Sequence, residues 1–113
     1  MPLIAHNILI FASALLLFVA FPAAAGDDEF KLTIQNHKFQ PEEVVVPSER
    51  RVKLIIENRD ATPEEFESHA LNREKVIAGK STVTIFIGPL KAGRYPFVGE
   101  YNEETARGVV VVR

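Results

Sequence analysis

The chain has 113 residues, 13 of them Lys or Arg and 15 Asp or Glu, and it contains no cysteine. That length admits one small domain, and the near balance of charge excludes a general nucleic-acid surface. Without cysteine there is no disulfide framework, so an apolar core, assisted by a bound ion or partner, has to supply the stability.

The first 25 residues carry no Asp, Glu, Lys or Arg, and the run from Ile8 to Phe21, "ILIFASALLLFVAF", is almost wholly apolar. Pro22 and "AAAG" follow. A short apolar core, a helix breaker and small residues are the pattern of a secretory signal peptide, with cleavage expected after Ala25. An uncleaved membrane anchor is the rival, but the run falls short of the ~20 residues that span a bilayer. The expected mature domain is residues 26–113, exported to the periplasm or beyond.

Strand signals dominate that domain, and no long 3.6-residue period appears. "FKLTIQNHKF" alternates through Phe30, Leu32 and Ile34, and "EEVVVP" is a β-branched run stopped by Pro47. "RRVKLIIEN" alternates at Val52, Leu54 and Ile56 before the turn-prone "NRDATP". "EFESHAL" is short and ambiguous, and "KVIAGKSTVTIFIGPL" divides into two strands around Gly79. "RYPFVGE" sets Tyr95, Phe97 and Gly99 on one face, and "GVVVVR" closes the chain. Short strands broken by turn signals every 8–12 residues or so predict an all-β fold, an antiparallel β-sandwich. "LKAGRY" has the form of a tyrosine corner, in which Tyr95 bonds back to upstream backbone, and this points to Greek-key topology. The plainer reading is a glycine turn followed by a core aromatic.

Two stretches, "FQPEEVVVPSERRVKLIIENRDATPEEFES" and "IGPLKAGRYPFVGEYNEETARGVVVV", resemble the cupredoxin fold. More narrowly, they are similar to cysteine-free cupredoxin-like domains of exported bacterial proteins that accompany ferrous-iron uptake permeases. The string "PEEFES…EKV…IGPL…Y-F-GE…TARG" carries that likeness over nearly the whole mature chain. Matched residue by residue to copper-carrying cupredoxins, the first histidine ligand falls on Glu64, the cysteine on Gly99 and the second histidine on Asn102. The methionine falls near Thr105 or Ala106. None of the four ligands is present, and a blue-copper centre needs the thiolate that Gly99 lacks. The resemblance therefore implies a metal-binding protein that assists iron uptake, with a copper or iron ion as cofactor, and not a blue-copper electron carrier.

Read as extended, "PEEFESH" places Glu65, Glu67 and His69 on one face and Glu64, Phe66 and Ser68 on the other, because the strand period is two. With Phe66 in the core, Glu64 points toward the old copper position. Two adjacent candidate pockets follow, an inner one of Glu64 and Asn102 and an outer one of Glu65, Glu67, His69 and Glu100. Glu103 lies within reach of either. Carboxylates suit hard cations and imidazole suits iron, copper and zinc, so ferric iron and Cu(II) are both reasonable tenants. A cation also relieves the mutual repulsion of close carboxylates. Against this stands the ordinary reading of acids flanking a strand as a solvated face, with Arg107 available to neutralise them. Gly99 and Gly108, which bracket the loop, read as backbone freedom at strand ends, and His37 reads as a turn residue.

The partners implied by the resemblance are a periplasmic iron-binding protein or a membrane iron permease. The alternative is a metal-free interaction module whose acidic rim steers a basic partner. A role in iron oxidation would need an electron acceptor that no motif supplies. A second copy of the chain, in a homodimer, is a further candidate partner. Neither a nucleophile elbow nor a glycine-rich phosphate loop occurs.

Overall fold

The computed structural model describes residues 28–113, and the expected signal peptide and its cleavage point lie outside these. Nine strands form two sheets: β1 (Asp28–Gln35), β2 (Lys38–Gln40), β3 (Glu43–Val46), β4 (Val52–Asn58), β5 (Glu64–Ser68), β6 (Arg73–Ile77), β7 (Ser81–Ile87), β8 (Gly93–Gly99) and β9 (Arg107–Val112). One sheet has the order β2-β1-β4-β7 and the other β3-β9-β8-β5-β6.

The alternation written in the sequence becomes the inward and outward faces of these strands. Along β4, Val52, Leu54 and Ile56 are buried while Lys53 and Glu57 face away. Along β1, Leu32 and Ile34 are buried and Phe30 packs against the same core. Phe39, Phe66 and Phe97 meet at its centre, with ring centroids 4.9 Å apart for the Phe39–Phe97 and Phe66–Phe97 pairs. The first of these is edge-on, at 89° between planes, an arrangement that matches the positive edge of one ring to the negative face of the other.

The expected β-sandwich is present, but its pairing is not wholly antiparallel. β1 runs parallel to β4 and β3 parallel to β9, while the other pairings are antiparallel. The cause is the Greek-key path. After the β1–β2 hairpin the chain crosses to the second sheet for β3 and returns for β4, which therefore enters beside β1 in the same direction. The tyrosine corner is also present. The Tyr95 hydroxyl donates to the Lys91 carbonyl at 2.8 Å and fastens the chain where β8 begins.

At the opposite end, three loops are tied together. Asp60 accepts the backbone N–H groups of Asn36 and His37 at 2.8 and 3.0 Å, and the His37 N–H bond is the main reason its carboxyl is held below the usual range. His37 sits at φ 56°, so it is the turn residue its sequence context suggests. The Thr105 hydroxyl donates to the His37 carbonyl at 2.6 Å, and the buried Asn58 side chain donates to the carbonyls of Thr62 and Ile77. These ties bring the start of β5 and the loop between β8 and β9 to one pole.

Candidate metal centre

Phe66, fully buried, sets the phase of β5. Glu64 and Ser68 share its inward side, and Glu65 and Glu67 take the outward side, as the period requires.

Glu64 is 1% exposed. Its Oε1 accepts the backbone N–H of Glu65 at 3.0 Å and of Tyr101 at 2.9 Å, and its Oε2 accepts from Asn102 Nδ2 at 2.6 Å. Gly99 makes room for it: a Cβ there would stand 2.7 Å from Glu64 Cδ and 2.6 Å from Ala106 Cβ. At Gly108 a Cβ would meet Phe97 Cζ at 2.3 Å. Neither glycine has positive φ, so backbone freedom is not what they supply. Both are required by close approach. The two inner candidates, Glu64 and Asn102, are thus brought together, and Glu64 is satisfied by the Asn102 amide and by two backbone donors.

The outer face has the opposite character. One carboxylate oxygen from each of Glu65, Glu67 and Glu100 lies within 4.8 Å of the others. β5 supplies the first two, and Glu100 opens a single 3-10 turn, Glu100–Asn102, directly after β8. The pairing of Phe66 with Gly99 puts that turn beside Glu65. Glu74 on β6 pairs directly with Glu67, and like charges so placed repel. Glu65 is 8% exposed. A hydrogen bond with the Glu74 side chain, burial, and the bond to and charge of Glu100 push its pKa up to about 7. Burial and the neighbouring Glu100 raise Glu67 as well, against the opposing charge of His69. Burial, then the charges of Glu65, Glu100 and Glu64, raise the Tyr101 hydroxyl, which also bonds to Glu65.

The remaining sequence candidates are placed less centrally. His69 lies in the turn after β5 with its side chain 97% exposed, and Nε2 is 3.6 Å from Glu67 Oε1. Glu103 borders a separate hollow with His37, Tyr101 and Glu104. Arg107 does not neutralise the acids, because its Nε donates to the Glu103 carbonyl at 2.7 Å. Among the described residues no lysine or arginine ion-pairs with Glu65, Glu67 or Glu100.

Two members of the cluster, Glu74 and Tyr101, escaped the sequence reading. Glu74 becomes visible once the chain from Glu64 to Ile77 is read as a hairpin, because Glu67 and Glu74 then face each other across its turn. Tyr101 carries no comparable signal.

A type-1 copper does not fit these residues. Gly99 offers no sulfur, and Glu64 and Asn102 are spent on each other. The outer oxygens form a hard donor set of the kind that takes a di- or trivalent cation.

A Greek-key β-sandwich of this topology, with a loop after β8 packed on the start of β5, defines a cupredoxin-like protein stripped of the blue-copper ligands. The chain belongs to the cupredoxin-like domain family, whose profile matches residues 8–112. It is 45% identical over 84 residues to an uncharacterized protein of Rickettsia prowazekii (strain Madrid E), covering 74% of this chain and 67% of that one. Auracyanin A, a "blue" copper protein from Chloroflexus aurantiacus, superposes with TM-score 0.64 at 16% identity, over 78% of this chain and 100% of that one. The metal-binding domain of the Cu(I)-exporting P-type ATPase of Streptococcus pneumoniae D39, solved with Cu(I), gives TM-score 0.64 at 11% identity, over 75% and 84%. An oxidized amicyanin mutant gives 0.60 at 18% identity, over 74% and 81%. At such identities the likeness is one of fold.

Proposed function

We propose that this protein is a periplasmic metal-binding protein that holds iron or Cu(II) on its outer carboxylates and assists iron uptake. The single observation that carries the reading is the approach of Glu65, Glu67 and Glu100 to within 4.8 Å, with Glu74 raising the pKa of Glu65 and no lysine or arginine among the described residues ion-paired to them. Carboxylates this close hold a proton or a cation between them, and a cation satisfies more of their oxygens. His69, one turn away and freely exposed, is placed to add an imidazole when an ion is bound. The apolar run at Ile8–Phe21 supports export, and the copper-binding proteins that share the fold support copper as one tenant. The metal then passes to a second periplasmic iron-binding protein or to a membrane iron permease. The chain is read as a binder and not as an oxidase.

The test is calorimetric titration of the purified protein with Cu(II) and with iron. Binding much tighter than millimolar, lost when Glu67→Ala and Glu100→Ala are combined, supports the reading. No binding tighter than millimolar, or binding indifferent to that double change, overturns it and leaves the acidic rim as a docking surface for a basic partner.

A further inference from the structure

The outer site depends on where Glu100 stands, and Glu100 belongs to no strand. It opens a 3-10 turn of three residues with no side-chain cap, too short to hold its geometry by its own hydrogen bonds. The loop behind it is closed by backbone, with Gly99 N–H donating to Ala106 O at 2.9 Å and Ala106 N–H to Asn102 O at 2.8 Å. The turn itself is gripped from the inside. Glu64 takes the Tyr101 N–H on one oxygen and the Asn102 Nδ2 on the other, and the first oxygen also takes the N–H of Glu65. One buried side chain therefore holds two residues of the turn and the strand residue that bears an outer carboxylate.

We infer that Glu64 is the positioning residue of the outer site. Facing inward, it touches no bound ion. By gripping Tyr101 and Asn102 it fixes the rotation of the turn and so sets Glu100 against Glu65 and Glu67. This inference rests on the outer carboxylates being the metal site, and it adds that the site is set up before the ion arrives. Those carboxylates repel one another, and without an inner anchor the turn would swing Glu100 away into water.

Two substitutions separate the grip from the charge. Glu64→Gln removes the charge but keeps an oxygen for both backbone N–H groups, and Asn102 can turn its amide to accept from the new Nε2. Glu64→Leu has similar bulk and no acceptor at all. Cu(II) titration by calorimetry, with the fold verified by circular dichroism, is expected to give Glu64→Gln an affinity within about threefold of wild type. Glu64→Leu is expected to bind about 10–100-fold more weakly, the usual cost of losing a support behind a metal ligand. Equal losses in both variants would make Glu64 a source of field and overturn the positioning role, as would a folded Glu64→Leu that binds like wild type. If Glu64→Leu does not fold, Asn102→Ala removes one of the three donors and decides the matter: about threefold weaker binding or more supports the grip, and unchanged affinity overturns it. If the wild type binds neither Cu(II) nor iron, the proposed function fails by itself. Hydrogen exchange at the Tyr101 amide then tests the grip without metal, with about tenfold faster exchange expected in Asn102→Ala and an unchanged rate overturning the inference.

Discussion

Glu64 and Glu65 are adjacent, chemically identical and both buried, yet their surroundings are opposite. Glu64 meets three N–H donors from Glu65, Tyr101 and Asn102, so every contact on its carboxylate is favourable. Glu65 meets Glu74 and Glu100, which are themselves acceptors, and its pKa rises to about 7 in consequence. One step along a strand turns the side chain through the sheet, and that turn alone decides which environment it enters. The inner carboxylate is complete within the protein. The outer one has the Tyr101 hydroxyl beside two further acceptors, and a proton or a cation from outside completes it.

The largest break in this contrast is Glu64→Ala. It leaves the Tyr101 and Glu65 N–H groups and the Asn102 amide facing an empty space, at a cost of about 4 kcal/mol. For a domain of this size the thermal midpoint falls by on the order of 20 °C, readable by circular dichroism. A loss below about 1 kcal/mol would show that the inner bonds contribute little. Gly99→Ala attacks the same place sterically. Its methyl group would collide with Ala106 Cβ at 2.6 Å and Glu64 Cδ at 2.7 Å, and overpacking of this kind costs about 2 kcal/mol. A shift in the denaturant midpoint without a change in slope is the expected reading.

The outer side is tested by pH. Unfolded Glu65 titrates near 4.5 and folded Glu65 near 7, so between these values the native state holds a proton that the unfolded state has lost. Stability of the metal-free protein contributed by this group is therefore present below about pH 4.5, declines as pH rises toward 7, and is flat above. Glu67, raised in the same sense, adds to the slope. Urea denaturation across pH 5–8 should show the decline, and Glu65→Gln should flatten it. A stability that rises through this range would remove the basis for treating the outer carboxylates as crowded.

Most of the sandwich was legible because alternation is a local property. Leu32 and Ile34, Val52, Leu54 and Ile56, and the position of Tyr95 all follow from period two and from one corner pattern. The parallel pairings of β1 with β4 and β3 with β9 were not, since alternation says which face is buried and nothing about which strand lies alongside. The inner–outer split of Glu64 from Glu65 and Glu67 was legible from Phe66 alone. Glu74 was hidden because four of the five residues of β6 are exposed, leaving no periodic signal to orient it. Tyr101 was hidden, and the direction of Glu103 was not readable, for a different reason. In the loop after β8 the direction of each side chain is set by the 3-10 turn and by the bonds that anchor it, and these come from residues nearly forty positions away.

The smallest expected effect serves as a control for the others. Tyr95→Phe removes the hydroxyl bond to Lys91 O, at the end of the sandwich opposite the acidic pole. Tyr95 remains packed against the core through its ring, so only one hydrogen bond is lost, worth about 1 kcal/mol. The Tyr101 turn and the Glu65 cluster have no contact with this corner. The denaturant midpoint should therefore fall slightly while the decline of stability with pH keeps its slope, because distant and independent sites add. A changed pH slope in Tyr95→Phe would mean that the two ends of the sandwich are coupled through β8, and the contrast between Glu64 and Glu65 would then belong to the whole sheet instead of to one pole.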